Sequence, residues 1–206
     1  MKILALDSSS SVTSVAFVTT DKMPNILFHS NTPHNRFDSS PIFRGLQSAV
    51  ALCGLPDSLC VGLGPGSYNG LRAGIAAARA FATALDIPLF ALPSPLALPG
   101  PDSGFWAVGD ARGGHYWMAG VQHGVFLQEP YLLTPSELTM LLQTLPHFPI
   151  FSSSSLPDID NLVIATPDAR RLAILAEKAD SCLGTPEPLY LKPPHITAPR
   201  LVTAST

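Results

Sequence analysis

Lys2-Ile3-Leu4-Ala5-Leu6-Asp7-Ser8-Ser9-Ser10-Ser11, followed by Val12-Thr13-Ser14-Val15-Ala16-Phe17-Val18, is the stretch on which the fold turns. Lys2 to Leu6 reads as a buried strand ending at Asp7. Val12 to Val18 reads as a second strand, reached through the tight turn Ser8 to Ser11. Asp21-Lys22-Met23-Pro24-Asn25 is turn chemistry, and Ile26 to His29 returns as a third strand. Three strands in quick succession predict an antiparallel meander.

Further along, Ser40 is a candidate N-cap with Pro41 at the first helical position. Ile42, Phe43, Leu46, Ala49, Val50 and Cys53 recur at helical spacing, and Gly54 is placed to end that helix. Leu59 to Leu63 is a short strand running into Gly64-Pro65-Gly66-Ser67-Tyr68-Asn69-Gly70. A second helix is expected over Leu71 to Leu85, with the apolar stripe Leu71, Ile75, Ala78, Ala82 and Leu85 and many Ala and Gly residues around it. Small side chains permit close approach of another helix. The same pattern also suits a helix lying flat on its own sheet. Ile87 to Leu92 completes the order of three strands, helix, strand, helix, strand, which is that of the ribonuclease H-like lobe shared by actin and sugar kinases.

Pro93 to Gly104, rich in Pro, Ser and Gly, reads as a boundary. The second part opens with a strand from Phe105 to Gly109 ending at Asp110. A hairpin crosses His123-Gly124, joining Tyr116–Gln122 to Val125–Leu127. Thr134-Pro135-Ser136-Glu137 is a capping box that starts a helix with Leu138, Leu141, Leu142 and Leu145 inward. Pro149–Phe151 and Leu162–Ile164 read as strands. Thr166-Pro167-Asp168 opens a last helix reaching about Ala179, with Leu172, Leu175, Ala176 and Ala179 inward. The whole predicts an α/β, two-lobe, actin-related (ASKHA-type) fold with mixed sheets, divided into residues 1–95 and a reduced second lobe, 96–206.

The chain has 206 residues, enough for a sizeable core. Apolar residues make up 46%, but charged residues only 13%, about half the usual share of roughly 25%. Either a partner covers part of the surface or Ser, Thr, Pro and Ala keep it wettable. A net charge of −3 and no run of Lys or Arg argue against a dominant nucleic-acid surface. Cys53, Cys60 and Cys182 are odd in number and scattered, which suits a reducing compartment and neither a disulfide framework nor a zinc site. The apolar start is too short for a signal peptide, and no stretch is long enough to span a membrane. The expectation is a cytoplasmic protein.

Asp7 and Asp110 each end the first strand of their lobe. Two such carboxylates facing across a cleft could hold a metal–nucleotide complex. Each could equally cap its own turn. Gly64, Gly66, Ser67 and Gly70 form a loop at a helix start that is either an anion nest or a packing turn; it is not a P-loop, since no Lys follows. The six histidines (His29, His34, His115, His123, His147, His195) show no metal-ligand spacing, and no nucleophile elbow of the Gly-x-Ser-x-Gly kind occurs. No metal, cofactor or catalytic residue is assigned.

Four segments carry a resemblance. Ile3-Leu4-Ala5-Leu6-Asp7-Ser8-Ser9 is similar to "ILAIDTS". Gly64 to Gly74 (GPGSYNGLRAG) is similar to "GPGSFTGLRIG". Asp110-Ala111-Arg112-Gly113-Gly114 with Tyr116 is similar to "DARxGEVY", and Pro188 to Lys192 (PLYLK) to "PxYLR". Asn69 replaces the usual Thr, His115 stands near an expected Glu, and His34-Asn35-Arg36-Phe37 matches a further family motif only in part. The chain thus resembles the TsaB (YeaZ) family, paralogues of TsaD in making threonylcarbamoyladenosine in tRNA.

That resemblance implies a non-catalytic scaffold whose first-lobe helices pack against the matching helices of a TsaD-type protein. The implied interface is Ile42, Phe43, Leu46, Val50, Leu71, Gly74, Ile75 and Ala78. It also implies a homodimer through the same face when the chain is alone, a TsaE-type ATPase as a further partner, and tRNA reached only indirectly. Asp7, Gly64, Gly66, Ser67, Gly70, Arg72, Asp110 and Arg112 are the motif positions for any nucleotide or anion contact. The competing reading is an enzyme of actin-like fold, a small kinase, ATPase or peptidase.

Overall fold

A computed structural model of the chain describes residues 1–21, 23–35, 38–157, 159–179 and 185–192. Lys22, Arg36, Phe37, Cys182 and His195, named above, lie outside the described residues. The first sheet holds β1 (Lys2–Asp7), β2 (Val12–Thr19), β3 (Asn25–Pro33), β4 (Ser58–Gly62) and β5 (Leu89–Leu92) in the order β3-β2-β1-β4-β5. β1, β2 and β3 pair antiparallel, while β4 and β5 join in parallel, so the meander and the mixed sheet are both present. β3 runs four residues beyond the expected His29.

The pleat sorts the core onto two faces. Leu4, paired with Phe17 and Leu59, and Leu6, paired with Val15 and Val61, point to one side. There they meet Ile42, Leu46 and Ala49 of α1 (Ser40–Cys53) and Ile75, Ala77 and Ala78 of α2 (Tyr68–Leu85). Ala5, paired with Ala16 and Cys60, points to the other side. That side is covered by α4 (Ala169–Ala176), through Ala169, Leu172, Ala173 and Ala176. The helix closing the second part in sequence thus packs on the first sheet. Its small residues let it lie close over Ala5, Ala16 and Cys60.

The second sheet has the order β10-β9-β6-β7-β8, built from β6 (Phe105–Asp110), β7 (Tyr116–Gln122), β8 (Val125–Leu133), β9 (Ile150–Ser152) and β10 (Leu162–Ile164). α3 (Pro135–Thr144) lies between β8 and β9 as α1 lies between β3 and β4, but among the described residues no helix joins β9 to β10 where the first lobe has α2, which makes this lobe the reduced copy. The hairpin turns at His123 and Gly124, both at positive φ, as a two-residue loop matching strand twist requires. The capping box is realised: Thr134 Oγ1 accepts the Glu137 N–H, and Glu137 accepts the Thr134 N–H at 2.7 Å.

Local ends shift where side chains bond differently from expectation. At α1 the cap position is Ser39, with no side-chain bond. The Ser40 N–H is taken by Asp38 Oδ1 at 2.9 Å instead, so Ser40 lies inside the helix. α2 starts three residues early, because Ser67 Oγ accepts the Gly70 N–H and nucleates the turn. β5 begins at Leu89, since the Ile87 N–H closes α2 on the Ala82 carbonyl.

Candidate functional site

Two of the four motif segments, β1 with its turn and the glycine loop, meet at the end of β1, and residues 188–192 link the glycine loop to Arg112 of the segment that follows β6. Asp7 is buried, and both of its oxygens accept hydrogen bonds. Oδ1 accepts the Ser9 N–H at 2.9 Å and the Ser9 hydroxyl at 2.7 Å, and Oδ2 accepts the Ser94 hydroxyl at 2.6 Å. Ser94 Oγ in turn accepts the Gly64 N–H at 2.9 Å, and the Ser94 N–H donates to the Gly64 carbonyl. A Cβ at Gly62 would stand 1.9 Å from Asp7 Oδ2, so only glycine leaves that carboxylate its place. Burial pushes the Asp7 carboxyl above the ordinary range, and the bonds from Ser9 and Ser94 pull it part of the way back. Of the two roles open to Asp7, the geometry builds the turn cap.

The GPGSYNG loop is drawn onto the Ser8-Ser9 turn. The Ser67 N–H donates to the Ser9 carbonyl at 2.7 Å, and Ser8 Oγ donates to the Gly70 carbonyl at 2.9 Å. Cβ atoms at Gly66, Gly70 and Gly74 would lie 2.1, 2.2 and 2.2 Å from Ser9 O, Ser8 O and Ser8 Oγ. These glycines serve backbone contact between two loops. Gly64, at φ 87°, supplies the left-handed turn.

Asp110 is exposed. Its carboxylate accepts the Arg112 N–H at 2.7 Å and pairs with the Arg112 guanidinium at 3.2 Å. The segment 185–192 bridges the two lobes. The Leu189 N–H donates to the Leu63 carbonyl, Tyr190 stacks on Tyr68 at 5.3 Å between centroids, and Lys192 Nζ donates to the Arg112 carbonyl at 3.0 Å. Arg72 bonds the Tyr68 hydroxyl at 2.5 Å. Where Ser9, Pro65, Ser94, Val108 and Trp117 face one another, the seam closes to a hollow of about 10 Å³, room for one water. Among the described residues, no group of three or more His, Cys, Asp or Glu is placed to hold a metal ion, and no helix is long and apolar enough to cross a membrane.

Six of the eight expected interface positions belong to the lobe's own core. Ile42, Leu46, Leu71, Ile75 and Ala78 are at most 5% exposed, and Gly74 is buried against Ser8. Bulky substitution at Gly74 or Ala78 therefore disrupts packing before it can report on a partner. Phe43 stands out at 58% exposure, and Val50 is half-buried. The outward face carries Phe43, Gln47, Ala51, Ala76 and Ala80. Sequence reasoning gave Ser94, 87 residues from Asp7, no part in the site; a Ser-Pro after a strand is a local signal there.

Comparison with known proteins agrees with this layout. The TsaD family model (tRNA N6-adenosine threonylcarbamoyltransferase) matches residues 45–98. No curated protein matches the sequence closely enough to count as a relative. A Pseudomonas aeruginosa protein with similarity to peptidase YeaZ superposes with a TM-score of 0.74 at 19% identity, over 93% of this chain and 99% of that one. YeaZ from Pseudomonas aeruginosa superposes with a TM-score of 0.66 at 20% identity, over 86% and 91%. The chain has the ribonuclease H-like, actin-related fold of the YeaZ proteins, and its residues 45–98 carry the sequence pattern of the TsaD family.

Proposed function

We propose that the chain is a TsaB-type subunit, without catalytic chemistry of its own, of the cytoplasmic machinery that transfers a threonylcarbamoyl group to adenosine 37 of ANN-decoding tRNA. Its part is to bind a TsaD-type protein through α1 and α2. One observation carries this reading. The segment with the TsaD family's pattern, residues 45–98, contains α2 and most of α1, whose outward faces offer alanines and the exposed Phe43. A helix pair presenting small and apolar groups suits close packing against a similar pair. The bonding of Asp7 to its own turn supports the non-catalytic part of the proposal, because a buried carboxylate already holding three internal donors keeps a single acceptor site on Oδ2 for any metal–nucleotide complex.

On this reading the contact uses Phe43, Val50 and the outward alanines, while Ile42, Leu46, Leu71, Gly74, Ile75 and Ala78 shape the helices from beneath. A homodimer of the free chain uses the same face and competes with the heterodimer. A TsaE-type ATPase joins the assembled pair, and tRNA is held chiefly by the other subunits.

The test mixes the chain with the TsaD-type protein of the same organism. Mass is read by light scattering after size exclusion, with and without ATP. The expected result is a heterodimer that, with TsaC and TsaE added, modifies tRNA. Absence of a complex in both conditions would return the chain to the enzyme reading and to nucleotide-binding assays.

A further inference from the structure

The charges on α1 and α2 differ in kind from those on the rest of the molecule. The chain as a whole is at −3, yet these two helices carry Arg44, Arg72 and Arg79 and no carboxylate. All three arginines are exposed. Arg72 and Arg79 are two turns apart, about 10 Å along the axis, with Ala76 between them on the same side. Arg44 lies beside Phe43 on the outer side of α1. Of the nearby carboxylates, Asp38 accepts the Ser40 N–H and also acts on Arg44 at the start of α1, Asp57 receives the Lys2 N–H at 2.7 Å, and Asp86 caps the far end of α2.

Resting on the heterodimer reading above, we propose that this face takes a helical protein surface whose small or apolar centre is flanked by carboxylates, and that a second copy of this chain is the disfavoured occupant. Two-fold self-pairing presents the same patch on both sides, which sets six guanidinium groups into one interface with no acid on either helix and the two Asp38 carboxylates at its edge. Repulsion of that kind acts over about 10 Å at 0.1 M salt and is screened at higher salt. Against an acidic partner the same arginines attract. Salt therefore moves the two assemblies in opposite directions: the heterodimer loosens as salt rises, and the homodimer tightens. A nucleic-acid occupant fits less well, because only three cations are spread over two helices with Phe43, Ala76 and Ala80 among them.

The experiment measures the affinity of the full chain for the TsaD-type protein of the same organism, from about 50 mM to about 500 mM salt. It also records self-association and retention of single-stranded RNA. Wild type is compared with the double variant Arg44→Glu/Arg79→Glu, which spares Arg72 and its bond to Tyr68, and with Arg72→Glu added. Circular dichroism confirms that each variant folds. The expected result is tenfold or greater weakening in the double variant, with wild-type affinity falling as salt rises. Wild type that binds with no response to salt or to charge reversal overturns this inference and leaves the heterodimer standing. Wild type that binds no partner at any salt overturns the heterodimer reading itself. A homodimer strongest at low salt and lost in the variants, or RNA retained only by wild type, overturns the choice of occupant.

Discussion

Asp7 and Asp110 begin as the same device. Each ends the first strand of its sheet, each is paired across to the second strand, and each accepts the N–H two residues on, at 2.9 and 2.7 Å. Their surroundings then part. Asp7 is walled in by Gly62, Ser9 and Ser94, while Asp110 faces solvent with Arg112 beside it. The same local turn chemistry is a buried bolt between β1, the glycine loop and the segment after β5 in one lobe, and a surface turn in the other. A strand-end aspartate acquires its role from what covers it.

The largest test of this contrast is Asp7→Ala. It leaves the Ser9 N–H, the Ser9 hydroxyl and the Ser94 hydroxyl buried without their acceptor, and should cost about 3 kcal/mol. Urea unfolding measures it, and a loss under about 1 kcal/mol would break the comparison. Ser94→Ala removes one donor to Asp7 and the acceptor of the Gly64 N–H, and should cost about 2 kcal/mol by the same measurement.

Acidity sharpens the comparison further. Burial raises the Asp7 carboxyl, so the folded chain keeps that proton to higher pH than the unfolded chain does. Its contribution is complete below the ordinary carboxylate range, near pH 4, and is lost as pH rises through the raised value. Asp168, the cap of α4, runs the other way. Burial pushes it up, but the Arg170 guanidinium and N–H outweigh this and hold it low, so its contribution is lost as pH falls through the lowered value. Asp7→Asn should remove the first component alone. Variant and wild type, unfolded in urea from about pH 4 to about pH 8, should differ in slope; parallel curves would count against a buried, titrating Asp7.

The smallest effect is expected at Asp110→Ala, under about 0.5 kcal/mol, because a partly exposed pair with Arg112 contributes little. A large loss there would mean that the lobes depend on this turn as much as on that of Asp7.

Much of the architecture was legible in short stretches. The buried strand runs within Lys2–Val18, the helical spacing from Ile42 to Cys53, the Thr134–Glu137 box and the His123-Gly124 turn all depend on neighbours within a few residues. The candidate site was legible only as a set of motifs. Nothing near Asp7 in the chain announces Ser94, and the small residues of α2 fit a partner helix as well as they fit Ser8 and the sheet beneath.

The sequence by itself determined the order of strands and helices, the Thr134 cap of α3, the His123-Gly124 turn, and the presence of three arginines without a carboxylate on two helices. These follow from periodicity, hydrogen bonding and charge acting over one or two turns of chain. Tertiary structure decided that Asp7 is a cap, that Gly74 and Ala78 belong to the core, and that α4 leaves the second lobe's sequence to cover the first sheet. Each of those outcomes depends on which residues, tens to more than a hundred positions apart, come to exclude water from one another, and no local pattern carries that information.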